Sequence, residues 1–199
     1  MRKLLLATNN AGKVREYRLL LKGSPFEIVT PAEQGLALEV DETADTYEQN
    51  ASLKAVAFAE AGGMLALADD SGLEVDALGG APGPRAARFA GEGADDRQRV
   101  ALLLSKVEGV PWEKRTARFV CVIALAAPGE RPCLFRGECE GYISLEPHGR
   151  GGFGYDPVFY LPVFCRTMAE LSMEEKNRVS HRAAAAREML RALSAGAVG

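Results

Sequence analysis

The feature that most limits what this chain can fold into is the order of its periodic segments. Strand and helix alternate over the first half, and two long strand-like runs then follow one another directly. The apolar run at 3–7 reads as a first buried strand. After a polar turn at 8–12, a helix is expected over 13–21, because Val14, Tyr17, Leu20 and Leu21 share one face and Gly23 can terminate it. Residues 26–29 read as a second strand bounded by Pro25 and Pro31. A second helix is expected from Thr46, which fits a capping box with Gln49, with Ala51, Ala55, Phe58 and Ala59 as its apolar stripe. Residues 65–68 read as a buried strand that ends at Asp69-Asp70-Ser71-Gly72. Five glycines and two prolines mark 79–93 as loop, and Asp95 can cap a third helix with Val100, Leu103, Leu104 and Val107 on its face. Residues 118–126 and 133–140 read as paired strands joined by the turn at Pro128-Gly129. A glycine-rich segment at 149–154 precedes a strand at 158–160. Ser172 and Glu175 offer another capping box, for helix that reaches about Leu193 with a break near Ser180. Alternation followed by consecutive strands implies an α/β fold with a mixed sheet. No internal repeat or linker divides the chain, so 1–199 reads as a single domain.

Composition excludes several classes of function. The 199 residues suffice for one domain or for two lobes sharing a core. The formal net charge of −3 makes no global electrostatic case for nucleic acid or an anionic membrane. Any phosphate chemistry must therefore come from local basic groups. Cys121, Cys133, Cys139 and Cys165 form no C-x-x-C pair and show no metal-ligand spacing, so they read as reduced thiols in or near the core. Reduced thiols suit the cytoplasm. The N-terminal apolar run is far too short for a signal-peptide core and no stretch approaches a membrane span, so a cytosolic protein without a membrane partner is expected.

Four elements carry residues suited to chemistry. The first is Thr8-Asn9-Asn10-Ala11-Gly12-Lys13, between a strand and a helix. Such a turn presents backbone N–H groups and the positive end of a helix dipole, and Lys13 adds a full charge, which suits a polyphosphate. It is not a P-loop, and a polar turn with a solvated lysine accounts for it equally when it is taken alone. The second is acidic. Asp69 and Asp70, expected at a strand's carboxyl end, repel one another unless a cation sits beside them, and Mg²⁺ takes carboxylate and phosphate oxygens together. Glu42, just before the second helix, can complete that metal shell; a solvated acidic loop and an Asp turn are the plain alternatives. Lys54, in mid-helix, reads alone as a surface lysine. The third element is Gly151-Gly152-Phe153-Gly154-Tyr155-Asp156-Pro157. Its glycines admit close backbone approach, Phe153 and Tyr155 offer flat faces for a base, and Asp156 can accept hydrogen bonds. A tight turn that packs both rings into the core is the alternative. The fourth is Lys176 with Ser180-His181-Arg182, which is either a compact set of N–H donors or an exposed basic helix face. His148, in a Pro/Gly-rich loop, has no assigned role.

Together and in this order, these elements resemble the inosine triphosphate pyrophosphatase family, the non-canonical purine NTP pyrophosphatases. The strings are TNNAGK at 8–13, the E-T…N-A…L-K-A pattern over 42–55, ADDSGLEVDALGGAPG at 68–83, GGFGYDPVF at 151–159 and ELSMEEKNRVSHR at 170–182. The resemblance covers nearly the whole chain. It implies a long mixed sheet flanked by helices, two lobes with a central cleft, and a homodimer. It implies hydrolysis of ITP, dITP, XTP and dXTP to the monophosphate and pyrophosphate, with Mg²⁺ as cofactor. In that scheme Thr8, Asn9, Asn10, Ala11, Gly12, Lys13 and Lys54 hold the triphosphate. Glu42 and Asp70 bind Mg²⁺, Asp70 also activates water, Asp69 supports the metal shell and Ser71 contacts substrate. Phe153, Gly154, Tyr155, Asp156, Lys176, His181 and Arg182 form the base pocket, with Trp in place of Tyr155 in some members. Donors from His181 or Arg182 aimed at the purine O6 would favour hypoxanthine and xanthine over adenine. They would not exclude guanine, which also carries O6. The rival functions are a non-catalytic purine nucleotide sensor and a phosphatase that releases single phosphates.

Overall fold

A computed structural model describes residues 2–195. The elements are β1 (Arg2–Leu6), α1 (Ala11–Leu20), β2 (Phe26–Val29), α2 (Tyr47–Gly62), β3 (Ala66–Val75), β4 (Pro82–Gly83), α3 (Asp96–Lys106), β5 (Thr116–Ala126), β6 (Cys133–Ile143), β7 (Phe159–Leu161), β8 (Arg166–Thr167), α4 (Met173–Val179) and α5 (His181–Ser194). Eight strands form one sheet in the order β2-β1-β3-β5-β6-β7-β8, with β4 paired to β3. β1 pairs in parallel with β2 and β3, whereas the pairs β3–β4, β6–β7 and β7–β8 are antiparallel. The sheet is therefore mixed and flanked by helices, as the element order predicts.

One boundary differs from expectation in a way that matters for function. The sequence predicts a strand that stops at Asp69, but β3 runs on to Val75, so Asp69, Asp70, Ser71 and Gly72 lie inside a strand. A pair of carboxylates interrupts an apolar run and reads as a turn. Here Leu73 and Val75 resume the buried pattern beyond them, and cations described below balance the charge of Asp69. The parallel register of β1 with β3 ends at Leu6 opposite Leu67. The acidic pair thus lies just past the carboxyl end of β1.

The chain divides into two compact units. The first comprises residues 1–70, 121–137 and 182–199, and the second comprises 71–120 and 138–181. Each has its own apolar core. In the first unit, Leu4, Leu6, Leu67, Ile123 and Leu125 from the strands meet Tyr17 and Leu21 at α1 and Ala185, Ala186 and Met189 of α5. In the second, Leu73 and Val75 pack with Leu103 of α3, Phe119, Ile143, Val158 and Phe159. Full burial of each such aliphatic or aromatic side chain stabilises by about 1.5–3 kcal/mol. The first unit is built of crossovers and the second largely of neighbouring strands. Arg115, buried, ties the second unit together: its guanidinium donates to the carbonyls of Val107 and Val110 after α3 and of Ile143 and Ser144 at the end of β6. Cys121 and Cys139 are buried thiols, Cys133 is half-buried and all four cysteines are free; Cys165 departs from the expected pattern by being exposed.

Candidate active site

The first unit gathers the polar turn, the acidic pair and two lysines. Asn10 is the N-cap of α1, and its Oδ1 accepts from the backbone N–H of Gly12 at 2.8 Å and of Lys13 at 3.1 Å. A carboxamide oxygen thus sits at the positive pole of the helix, where a phosphate oxygen would be equally favoured. Thr8 Oγ1 accepts from the N–H of Asn10 at 3.2 Å, which shapes the turn, while Asn9 and Ala11 are exposed beside it.

Asp69 is fully buried and surrounded by cations. Lys13 Nζ lies 2.9 Å from its Oδ1, Arg182 Nε donates to its Oδ2 at 3.1 Å, and Lys54 Nζ donates to its carbonyl oxygen at 2.9 Å. Burial alone would raise the pKa of this carboxyl, but Lys13, Arg182 and Lys54 outweigh burial and hold it well below the usual carboxylate range. Asp69 therefore serves as the anion that holds Lys13 and Arg182. Arg182 also pairs with Glu16, which is itself buried. Asp69 further accepts from the Sγ of Cys121 at 3.8 Å, and burial pushes that thiol up to about 12, which keeps it neutral.

The environment of Asp70 is different. It is 6% exposed, and its pKa is pushed up to about 6, by burial first and by the nearby charge of Glu42. A hydrogen bond from Asn50 and the charges of Lys13 and Lys54 act in the opposite sense. Asn50 Nδ2 donates to Asp70 Oδ2 at 3.0 Å. Glu42 is half-buried and paired with Lys54. Two adjacent aspartates thus have opposed characters, one locked ionised among cations and the other titrating close to neutrality. Such a split is the arrangement in which neighbouring carboxylates can take separate acid–base and structural tasks. Among the described residues no group of three or more His, Cys, Asp and Glu side chains forms a closed metal cage. The donor set of Glu42 and Asp70 nevertheless fits a hard divalent cation, because their mutual repulsion would be relieved by one and Mg²⁺ is commonly held by one or two carboxylates plus phosphate oxygens.

The second unit gathers the glycine-rich loop, Lys176 and His181. Gly152 has φ +71°, and a Cβ there would lie 1.9 Å from Asp156 Oδ2, so only glycine fits. Asp156 Oδ2 accepts from the N–H of Phe153 at 2.9 Å and from Lys176 Nζ at 2.5 Å. Lys176 lies over the Phe153 ring, 5.0 Å from its centroid. Gly154 N–H donates to Asp96 Oδ2 at 2.7 Å, which ties the loop to α3. His181 stacks on Phe119 with centroids 4.8 Å apart. Ser71 opens the segment of β3 that belongs to this unit and is half-buried.

Three of the residues expected in the base pocket make contacts within the chain. Tyr155 offers no face to a base: it is buried in the core and its hydroxyl donates to the carbonyl of Ala86 at 2.9 Å. Asp156 Oδ2 accepts from its own loop and from Lys176. Arg182, 1% exposed, donates to Asp69 and pairs with Glu16, both in the first unit. His181 and Arg182 are consecutive, but the peptide bond between them is where the chain passes from the second unit to the first. The sequence reading gave no role to Glu16, Asn50 and Asp96. Glu16 and Asn50 are polar residues at helical positions that usually face solvent, and burial marks them; Asp96 is half-exposed, and its hydrogen bond from the Gly154 N–H marks it.

Fold and site together define a mixed α/β protein with a capped helix turn, a cation-clamped aspartate and a second aspartate poised near neutrality. The Ham1 family model matches residues 4–192. The chain belongs to the Ham1 family. It is 54% identical over 192 residues to a dITP/XTP pyrophosphatase of Desulforamulus reducens, with 96% of each chain covered. It is 45% identical over 195 residues to the dITP/XTP pyrophosphatase of Bacillus subtilis, with 98% of each covered. Among solved structures, a HAM1 protein from Coxiella burnetii superposes with a TM-score of 0.88 at 39% identity, covering 98% of this chain and 99% of that one. No helix among the described residues is long and apolar enough to cross a membrane.

Proposed function

We propose that this chain hydrolyses non-canonical purine nucleoside triphosphates (ITP, dITP, XTP and dXTP) to the monophosphate and pyrophosphate, and so cleanses the nucleotide pool. The observation that carries this is Asp70: a buried carboxylate held by Asn50, beside Lys13 and Lys54, with its pKa raised into the range of a working base. Family membership and the relatives' pyrophosphatase activity support the same reading.

In this mechanism the α1 turn and Lys13 and Lys54 receive the triphosphate. Asp70 takes the proton of a water whose oxygen attacks the α-phosphorus, and the bond to the α,β-bridging oxygen breaks so that pyrophosphate leaves. Lys13 and Lys54 offset the charge that develops on the leaving group. Glu42 and Asp70 would hold Mg²⁺, which supplies Lewis-acid stabilisation of the phosphate oxygens when bound. Phe153 would stack on the purine, with Lys176 and His181 as donors toward it. A homodimer acting in the cytoplasm belongs to the same proposal, and light scattering and cell fractionation check those two points.

A panel of nucleoside triphosphates with Mg²⁺, read by separate pyrophosphate and orthophosphate assays, tests the proposal. The expected result is pyrophosphate from ITP, dITP and XTP and little from ATP or GTP. Orthophosphate in its place would indicate a phosphatase, and tight binding with no release a nucleotide sensor.

A further inference from the structure

We infer that Asn50 is the positioning residue of the carboxylate pair: one buried carboxamide locks Asp70 and the segment bearing Glu42 to a single turn of α2. This rests on the proposed function, in which Glu42 and Asp70 take the divalent cation and Asp70 the proton. Asn50 lies in the first turn of α2 and is 1% exposed. Its Nδ2 donates to Asp70 Oδ2 at 3.0 Å and to the Ala44 carbonyl at 3.2 Å, and its Oδ1 accepts from the Ala44 N–H at 3.0 Å. A primary carboxamide has two donors and one accepting oxygen, and every one of these functions is used. Aspartate at this position would lose both donated bonds and set a like charge against Asp70. Leucine would leave the Ala44 N–H and an Asp70 oxygen without these partners.

One helical turn further on, on the same face of α2, Lys54 donates to the Asp69 carbonyl at 2.9 Å and pairs with Glu42. Adjacent turns of one helix therefore grip both carboxylate-bearing segments. Asn50 holds Ala44 and Asp70, and Lys54 holds Glu42 and the backbone at Asp69. The two ligands are pinned to a rigid element before any ion or nucleotide arrives. Mg²⁺ demands near-ideal octahedral geometry, and displacement of a reacting group by about 1 Å costs on the order of 10²-fold in rate.

The test combines Mn²⁺ titration of the nucleotide-free protein, a paramagnetic stand-in for Mg²⁺, with steady-state kinetics on ITP. Asn50→Ala is expected to melt cooperatively and to bind α,β-methylene inosine triphosphate in EDTA as the wild type does. Its Mn²⁺ affinity should fall about tenfold. Its kcat should fall roughly 10- to 100-fold, with KM changed by less than about threefold. In an Asp70→Asn background the same substitution should produce no further loss of Mn²⁺ affinity, because the residue it acts through is already altered. Equal losses in both backgrounds would assign Asn50 a merely structural role and overturn the inference. So would wild-type Mn²⁺ affinity and kcat in Asn50→Ala, or a wild-type protein that binds no Mn²⁺. Asn50→Ser, which also cannot span the distance to Asp70, is read in the same way if Asn50→Ala does not fold. If the wild type released no pyrophosphate, the proposed function would fail while the Mn²⁺ cycle still decided on Asn50.

Discussion

At the scale of single residues, the contrast between Asp69 and Asp70 organises the site. Asp70 has a folded pKa of about 6, above its ordinary value of 3.8, because burial and Glu42 disfavour its charge. A carboxyl raised on folding contributes stability that is full below its unfolded pKa and is lost as pH rises through its folded pKa. The metal-free protein is therefore expected to lose up to about 2–3 kcal/mol from this group between roughly pH 4 and 7. Asp70→Asn should melt higher than the wild type at pH 7.5 and not at pH 4, while turnover falls by about 10²-fold or more. A melting difference independent of pH would contradict this assignment. Arg182 makes the complementary case. Arg182→Met leaves Glu16 and Asp69 short of their buried partner and should lower unfolding free energy in urea by roughly 3–5 kcal/mol. If Arg182 acts only through these two carboxylates, the ratio of ITP to ATP turnover should not change.

At the scale of elements, local chemistry explains most boundaries. Asn10 caps α1, Asp95 and Gln98 form a reciprocal box at α3, and Ser172 and Glu175 form another at α4. Asn10→Ala should cost about 1 kcal/mol in chemical denaturation, since two N–H groups lose their acceptor. The glycine-rich loop obeys a stricter rule. Gly152→Ala would drive a methyl into Asp156 and impose a left-handed backbone on alanine, displacing the Lys176–Asp156 pair. The expected signature is a KM for ITP raised roughly tenfold with kcat little changed, which initial-rate kinetics resolve. A change confined to kcat would place the loop outside substrate binding.

At the scale of the whole molecule, β3, β5 and β6 each contribute residues to both compact units, and each unit closes its own core. Lys54 pairs with Glu42 and Asn50 donates to Asp70 within the chain, so the chain is expected to fold without a metal. Treatment with EDTA should abolish turnover while the protein still unfolds in one cooperative transition in calorimetry. The mixed sheet, the starts of α2, α3 and α4 and the order of the reactive strings were legible in the sequence, because periodicity and caps are local properties that need no knowledge of distant residues. The sequence also placed Thr8 to Lys13 with Asp69 and Asp70 in one proposal, through their strand-to-helix context and family resemblance. Only the tertiary structure decided that β3 continues through its aspartates, that Tyr155 faces the core and that Arg182 joins Asp69 and Glu16 while its neighbour His181 stacks on Phe119. It alone revealed Asn50. Burial and the compensation of charge depend on partners dozens to more than a hundred positions away, which no local pattern encodes.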